Sequence, residues 1–335
     1  MIVGEKVKVV MAHGSGGNAT KQLISELFQK YLANQYLDKM EDCAVLPGSK
    51  YPLSLTTDSF VITPLEFPGG DIGKLAICGT INDLWMGGAE PQYLTAGFIL
   101  EEGLELDLLE RVVKSFAHTA NEAKVQIVAG DTKVIQGNGG LYINTAGLGF
   151  KKTQIPLGSE SISKGDAVII SGSLGNHQAC IMSQRMEITN SIKSDCGNLG
   201  PMVNDLLKDN LKVKVMRDIT RGGLATILNE IAESSGSTIE IDEQSIPVDP
   251  EVESFCGILG LDPLYMANEG KFLCIAAEDQ EDEILARLKK NPLGTNARII
   301  GRVADLGKNV VTVKTRLGGR RIIDVLYGEG LPRIC

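Results

Sequence analysis

Apolar positions along the chain alternate between two periods. Leu23, Ile24, Leu27, Phe28 and Tyr31 recur at helical spacing behind a glycine-rich loop. "CAVLPG" and "YPLSLTTDSFV" run or alternate like strands and end on turn residues. "DIGKLAICGTINDLWMGG" reads as a helix closed by Gly87 and Gly88, "PQYLTAGFIL" as a strand and "LDLLERVVKSFAHTANEAK" as an amphipathic helix. "VQIVAGD" and "LYINTAGLGF" complete a β-β-α-β-α-β-β half ending near residue 155. The turn-rich "QIPLGSESISKGD" reads as a linker. Beyond it, the strand "DAVIISG" leads to helices near 176–187, 199–208, 222–235 and 280–290, with strands at "STIEID", "KFLCIAA", "ARIIGRV" and "NVVTVKT". The pattern stops after "RIIDVLYG". The division expected is a loop and helix over 1–40, a first domain over 41–155, a second over 165–326 and a tail over 327–335. Both domains are mixed α+β, with strands too scattered for an eight-fold βα barrel.

Composition narrows the function classes. The 335 residues are 43% hydrophobic and 22% charged, which is ordinary for a globular chain, and 38 glycines with 5% aromatics favour α/β packing with tight loops. The formal charge of −9 leaves no basic footprint for nucleic acid. No apolar run reaches 18 residues, and "MIVGEKVKVV" carries charges where a secretory signal would be apolar, so a cytoplasmic chain off the membrane is expected. The seven cysteines form no C-x-x-C pair, and His177 with Cys180 is two ligands short of a structural zinc. Cys78 and Cys274 sit in apolar runs and read as core.

Four motifs carry chemistry. "HGSGG", His13 to Gly17, lets backbone N–H groups approach an anion in front of a helix N-terminus, although a merely flexible loop reads the same way. Asp42, Asp58, Asp83, Asp131 and Asp218 each stand beside an apolar strand or early in a helix. Singly they read as caps or turns; together they would repel unless a cation such as Mg²⁺ lay between them and bridged them to phosphates. In "RDITRGG", Asp218 and Thr220 suit a helix cap, while Arg221 suits a phosphate or a subunit contact. In "ANEGK", Glu269 beside Asn268 and Lys271 is either a base or part of a strand-opening turn.

These segments, with "FILEEGL", "VAGDTKV", "INTAG", "TTDSFVITPLEFPGGDIGKLAICGT" and the final "PRIC", resemble the HypE family of hydrogenase maturation factors over nearly the whole chain. The wider superfamily is that of aminoimidazole-ribonucleotide synthetase and selenophosphate synthetase. The resemblance implies a two-domain, synthetase-like α+β fold whose N-terminal domains pair across a homodimer into a central β-barrel, with ATP in the adjoining cleft. It implies a carbamoyl dehydratase: the partner HypF loads a carbamoyl group on Cys335, ATP drives its dehydration to a thiocyanate, and the cyanide passes to iron on a HypC–HypD complex. By the same resemblance Glu269 accepts a proton and Lys133 neutralises phosphate or handles a proton. Asp42, Asp58, Asp83 and Asp218 hold Mg²⁺ and phosphates, Asp131 joins the ATP site, and Gly14, Ser15, Gly16 and Gly17 cover the phosphates. A mobile tail suits a thiol that visits two places: Gly328 and Gly330 supply a hinge, Pro332 stiffens the approach, and Arg333 either offsets the terminal carboxylate or meets the partner. Two rivals remain. A selenophosphate-synthetase-like enzyme would carry a reactive Cys in the N-terminal loop, where this chain reads "HGSGG". A non-catalytic thiol carrier would consume no ATP.

Overall fold

The computed structural model describes residues 7–15, 17–40 and 43–325. Gly16, Asp42 and Cys335, and with them Gly328, Gly330, Pro332 and Arg333 of the tail, lie outside the described residues.

Two sheets organise the chain into a mixed α+β fold. The first has four strands, β1 (Leu53–Phe60), β2 (Glu90–Glu101), β3 (Gln126–Ile135) and β4 (Leu141–Phe150), in the order β1-β4-β2-β3, with only β2 and β3 parallel. One face is covered by α2 (Ile72–Met86), and α3 (Leu106–Glu122) packs on α2. Asp71 starts α2 by accepting the N–H groups of Gly73 (2.7 Å) and Lys74 (3.0 Å). α2 is apolar nearly all round because it is buried nearly all round, from Ile72 and Leu75 to Ile81 and Leu84. A Cβ at Gly79 would lie 2.8 Å from the Phe60 ring, so glycine there sets how closely α2 approaches β1. The helical stretch 18–32, α1, contains a π-turn at Ile24–Phe28 and joins the core through Phe28, whose ring meets Phe98 edge-on at 4.9 Å.

Among the described residues, no element covers the opposite face of this sheet. Along β1, Leu53, Leu55, Thr57 and Ser59 point to it and are exposed, while Thr56, Asp58 and Phe60 face α2.

The second sheet has seven strands: β5 (Ala167–Ile170), β6 (Val213–Asp218), β7 (Ser237–Asp242), β8 (Phe272–Ala276), β9 (Arg298–Leu306), β10 (Val310–Lys314) and β11 (Arg320–Ile323). Their order is β11-β10-β7-β9-β5-β8-β6, antiparallel except for β7 and β10. β5 and β8 read as unbroken apolar runs because both of their faces are covered. Val168, Ile170, Leu273 and Ile275 join one core beneath the helix Gly223–Ser235; Ala167, Ile169, Phe272 and Cys274 join another beneath the helices Gly200–Leu207 and Glu281–Lys290.

Three local expectations change. "CAVLPG" forms no strand: residues 43–50 have no ladder partner, and Val45 is exposed. β6 is a strand that periodicity did not single out. A helix at Pro250–Leu259 was not expected either, because only Val252, Phe255 and Cys256 of it reach the core. Among the described residues, no helix is long and apolar enough to cross a membrane.

Candidate functional site

A cavity of about 600 Å³ opens between the two sheets, and four of the expected site residues meet at it: Asp58, Asp83, Asp218 and Glu269. Each arrives by a different local rule. Asp58 lies on the helix-facing side of β1 by strand alternation. Asp83 lies on the same side of α2 as Thr80, three residues earlier. Asp218 ends β6 and pairs in register with Phe272, so the pairing of β8 with β6 brings Glu269, three residues before Phe272, beside it.

Hydroxyls fix the first two carboxylates. Thr56 Oγ1 donates to Asp83 Oδ2 at 2.9 Å, and Thr80 Oγ1 reaches Asp58 Oδ2 at 3.4 Å. Burial is the first cause of proton retention at all four acids. It acts with the like charges of Asp218 and Asp58 to push Asp83 up to about 7. Burial also raises Asp58 and Asp218, against the pull of Arg221 on the former and Arg217 on the latter. Glu269, 7% exposed, is held well above the usual carboxylate range by burial, then by Asp195 and Asp218.

The opposite charge stands at the same cavity. Arg185, Arg217 and Arg221 line it. Arg185 Nε is anchored on the Thr63 carbonyl at 2.6 Å, and Arg217 on Glu230 at 2.7 Å. Carboxylates that repel one another beside guanidinium groups suit a hard cation together with the phosphates it bridges. Among the described residues no three His, Cys, Asp or Glu side chains form a ready metal cage.

A second group of expected residues gathers elsewhere. Gly14, Asp131 and Lys133 line a separate cavity of about 330 Å³ against α1. The turn Met11–Gly14 lies on β3, where a Cβ at Gly14 would come within 2.8 Å of Val134. Ser15 and Gly17 are exposed. Lys133 pairs with Asp131 at 3.3 Å on the uncovered face of the first sheet. His13 serves as a cap, its Nδ1 accepting the Val10 N–H at 3.0 Å.

Sequence reading missed Arg185 and Asp195. Asp195 sits in no periodic segment, Arg185 ends the helix Asn176–Arg185 with no motif to mark it, and each acts through a distant partner. His177 and Cys180 have packing partners and no metal geometry: His177 Nδ1 lies 2.8 Å from Ser194 Oγ, burial takes its ring down to about 4, and Cys180 Sγ donates to the Pro68 carbonyl.

Known proteins agree with this architecture. The family model "AIR synthase related protein, N-terminal domain" matches residues 40–150, and its C-terminal counterpart matches 163–314. "Carbamoyl dehydratase HypE" of Cupriavidus necator is 47% identical over 98% of this chain and 95% of its own length. The crystal structure of "Hydrogenase Maturation Protein HypE in complex with ATP" is 44% identical, covers 97% of this chain and 99% of its own, and superposes with a TM-score of 0.93. HypE in a "HypE-HypF complex" is 43% identical, covering 91% and 99%, with a TM-score of 0.79.

Proposed function

The chain belongs to the AIR-synthase-related proteins and, among them, to the HypE carbamoyl dehydratases, and from that premise we propose that it removes water from a carbamoyl group carried as a thiocarboxamide on the Cys335 thiol. ATP is consumed, and the product is a thiocyanate that supplies cyanide for the iron of a [NiFe]-hydrogenase. The observation that carries this reading is the meeting of Asp58, Asp83, Asp218, three arginines and the buried Glu269 at one cavity.

The chemistry follows from the poor leaving ability of an amide oxygen. Transfer of the γ-phosphoryl group to that oxygen, with loss of one N–H proton, gives an imidate phosphate; loss of the second N–H proton and cleavage of the C–O bond give the nitrile and phosphate. Arg185, Arg217 and Arg221 would neutralise the phosphates, and Asp58, Asp83 and Asp218, with Asp42 from outside the described residues, would hold Mg²⁺. Bound Mg²⁺ supplies charge neutralisation along the phosphate chain. Glu269 takes the N–H proton. A positive charge held among Asp58, Asp83 and Asp218 would offset two of the negative neighbours, Asp218 and Asp58, that raise Glu269, and so would favour its ionised form.

Homodimer formation through the uncovered face of the first sheet, where Leu53, Leu55, Ile99 and Ile135 are exposed, would build the barrel and bury these side chains. It would also bring Gly14 to Gly17, Asp131 and Lys133 to the cleft of the partner protomer. HypF would load the tail thiol, in keeping with the complex formed by the relative, and HypC–HypD would receive the cyanide. The division into domains at 41–155 and 165–326 and a cytoplasmic location complete the reading.

The test is the intact mass of the chain after incubation with the carbamoyl-loading partner, carbamoyl phosphate and MgATP. A carbamoyl adduct on Cys335 that then loses one water is expected, and Glu269→Gln should hold the adduct without losing water while still binding ATP. Steady ATP turnover with no adduct on Cys335 would instead favour a kinase or synthetase of the same superfamily.

A further inference from the structure

One buried carboxylate beside the cavity makes two hydrogen bonds that the chemistry above does not use. The Asp195 side chain is 6% exposed. Its Oδ1 accepts the Glu269 N–H at 3.1 Å, and its Oδ2 accepts the Gly270 N–H at 3.2 Å. Lys271 Nζ stands 3.6 Å from Oδ2, on a side chain that is 9% exposed. Charge-assisted bonds to consecutive backbone N–H groups fix the main chain more firmly than neutral ones. The packing is close enough that a Cβ at Gly270 would fall 2.0 Å from the Asp195 carbonyl oxygen.

The far side of this loop is held by the first half of the chain. Ser194 N donates to the Pro68 carbonyl at 2.8 Å. The Asn82 side chain donates to the Gly197 carbonyl at 3.0 Å and accepts the Leu199 N–H at 2.9 Å. Asn82 adjoins Asp83. The loop therefore ties the turn bearing Glu269 to the helix bearing Asp83; its side-chain contact with that turn is Asp195, beside the Gly197 N–H, which donates to the Glu269 carbonyl at 3.4 Å.

We propose that Asp195 is the positioning residue for the proton acceptor: it clamps the main chain at Glu269 and Gly270 so that the Glu269 carboxyl projects into the cavity, with Lys271 compensating its charge. Asp195 does not line the cavity, so it acts through Glu269 and touches no substrate. The inference rests on the reading of Glu269 as proton acceptor.

Asp195→Asn keeps the shape, loses the charge and leaves one of the two N–H groups facing an amide donor. The test uses full-length chain loaded with the carbamoyl group by its partner, and follows loss of one water by mass in a single turnover over a range of ATP concentrations. The rate at saturating ATP should fall about 10- to 100-fold, as expected for a displaced reacting group, with the half-saturating ATP concentration within about twofold of the parent. A merely structural role would loosen the loop at Asn82 as well, disturb the Asp83 helix and raise the ATP requirement. An unchanged rate, or a loss expressed only in the ATP requirement, overturns the proposal. If D195N does not fold, Asp195→Glu, which keeps the charge but is one methylene too long to hold both N–H groups, is measured in the same way with the same expectation. Glu269→Gln is run alongside. If it dehydrates like the parent, the reading of Glu269 itself fails; if it is inert while D195N is fully active, only the role of Asp195 fails.

Discussion

Asp58 and Lys133 sit on opposite faces of one four-stranded sheet, and on its opposite edges. Asp58 pairs with Thr145, Thr145 with Ala96, and Ala96 with Gly130, whereas Lys133 belongs to the row of Ile99 and Tyr142. Ala96 and Ile99 are an odd number of residues apart on one strand, which places their rows on opposite faces. Two strands intervene between β1 and β3, a lateral separation of about 14 Å, more than a lysine side chain spans. Lys133 thus stands out of reach of the Asp58 and Asp83 cleft of its own chain; in the proposed homodimer it would serve the cleft of the partner.

Complementation tests this assignment. Lys133→Ala and Asp83→Asn should each be inactive alone. Mixed and allowed to exchange subunits, they form heterodimers in which one cleft has an intact Asp83 together with the partner's intact lysine. Random pairing should return about one quarter of the parental dehydration rate, since half the dimers are mixed and each has one good cleft. No recovery, with exchange verified by mass, would assign Lys133 to its own protomer or to no catalytic role.

The uncovered sheet face makes a separate prediction. Leu55 is 77% exposed on it and Leu53 63%. Leu55→Lys removes no core contact, so its effect on stability should stay within about 0.5 kcal/mol. If the proposed homodimer forms through this face, the variant should shift the particle mass from dimer to monomer, because it puts a charge on the apolar surface that would be buried, and turnover should fall with the dimer fraction. A fully active monomer would show that each cleft is complete by itself.

Some of this site was legible before any coordinates, and the reason is local. Asp58, Asp83 and Glu269 adjoin strongly apolar segments, so strand alternation and helix periodicity place them at element ends or on a known face, whereas Asp218, on a strand that periodicity did not single out, was marked by the motif "RDITRGG". The α2 boundaries were readable for the same reason: Asp71 caps its start and two glycines follow its end. Asp195 and Arg185 gave no such signal. Asp195 acts on residues 74 and 75 positions away, from a loop that no periodicity marks, and Arg185 on a carbonyl 122 positions away, from the end of a helix whose pattern says nothing of that partner. "CAVLPG" misled because β-propensity describes a surface able to pair, and among the described residues no strand pairs with it. The sheet face of Lys133 was likewise beyond local reading, since it depends on the register of four strands.

Asp83 carries the last prediction. Its carboxyl titrates at about 7 in the folded chain, against 3.8 for an unperturbed aspartate. Between those values the folded chain holds a proton that the unfolded chain has released, so this group's contribution to stability is present at low pH and is lost as pH rises through 7. A shift of about three units corresponds to a few kcal/mol at the outside, shared with the coupled Asp58 and Asp218. Asp83→Asn removes the buried charge. Without Mg²⁺ the variant should therefore melt above the parent at pH 8 and level with it near pH 4, while its ATP-driven dehydration is lost. Added Mg²⁺ should raise the parent's melting temperature at pH 8 and leave that of the variant nearly unchanged, because the cation replaces like-charge repulsion with attraction only where all three carboxylates remain. A variant that melts below the parent at pH 8 in the absence of Mg²⁺ would mean that Asp83 is a structural anchor through Thr56, and that the cost of burying it is met within the fold.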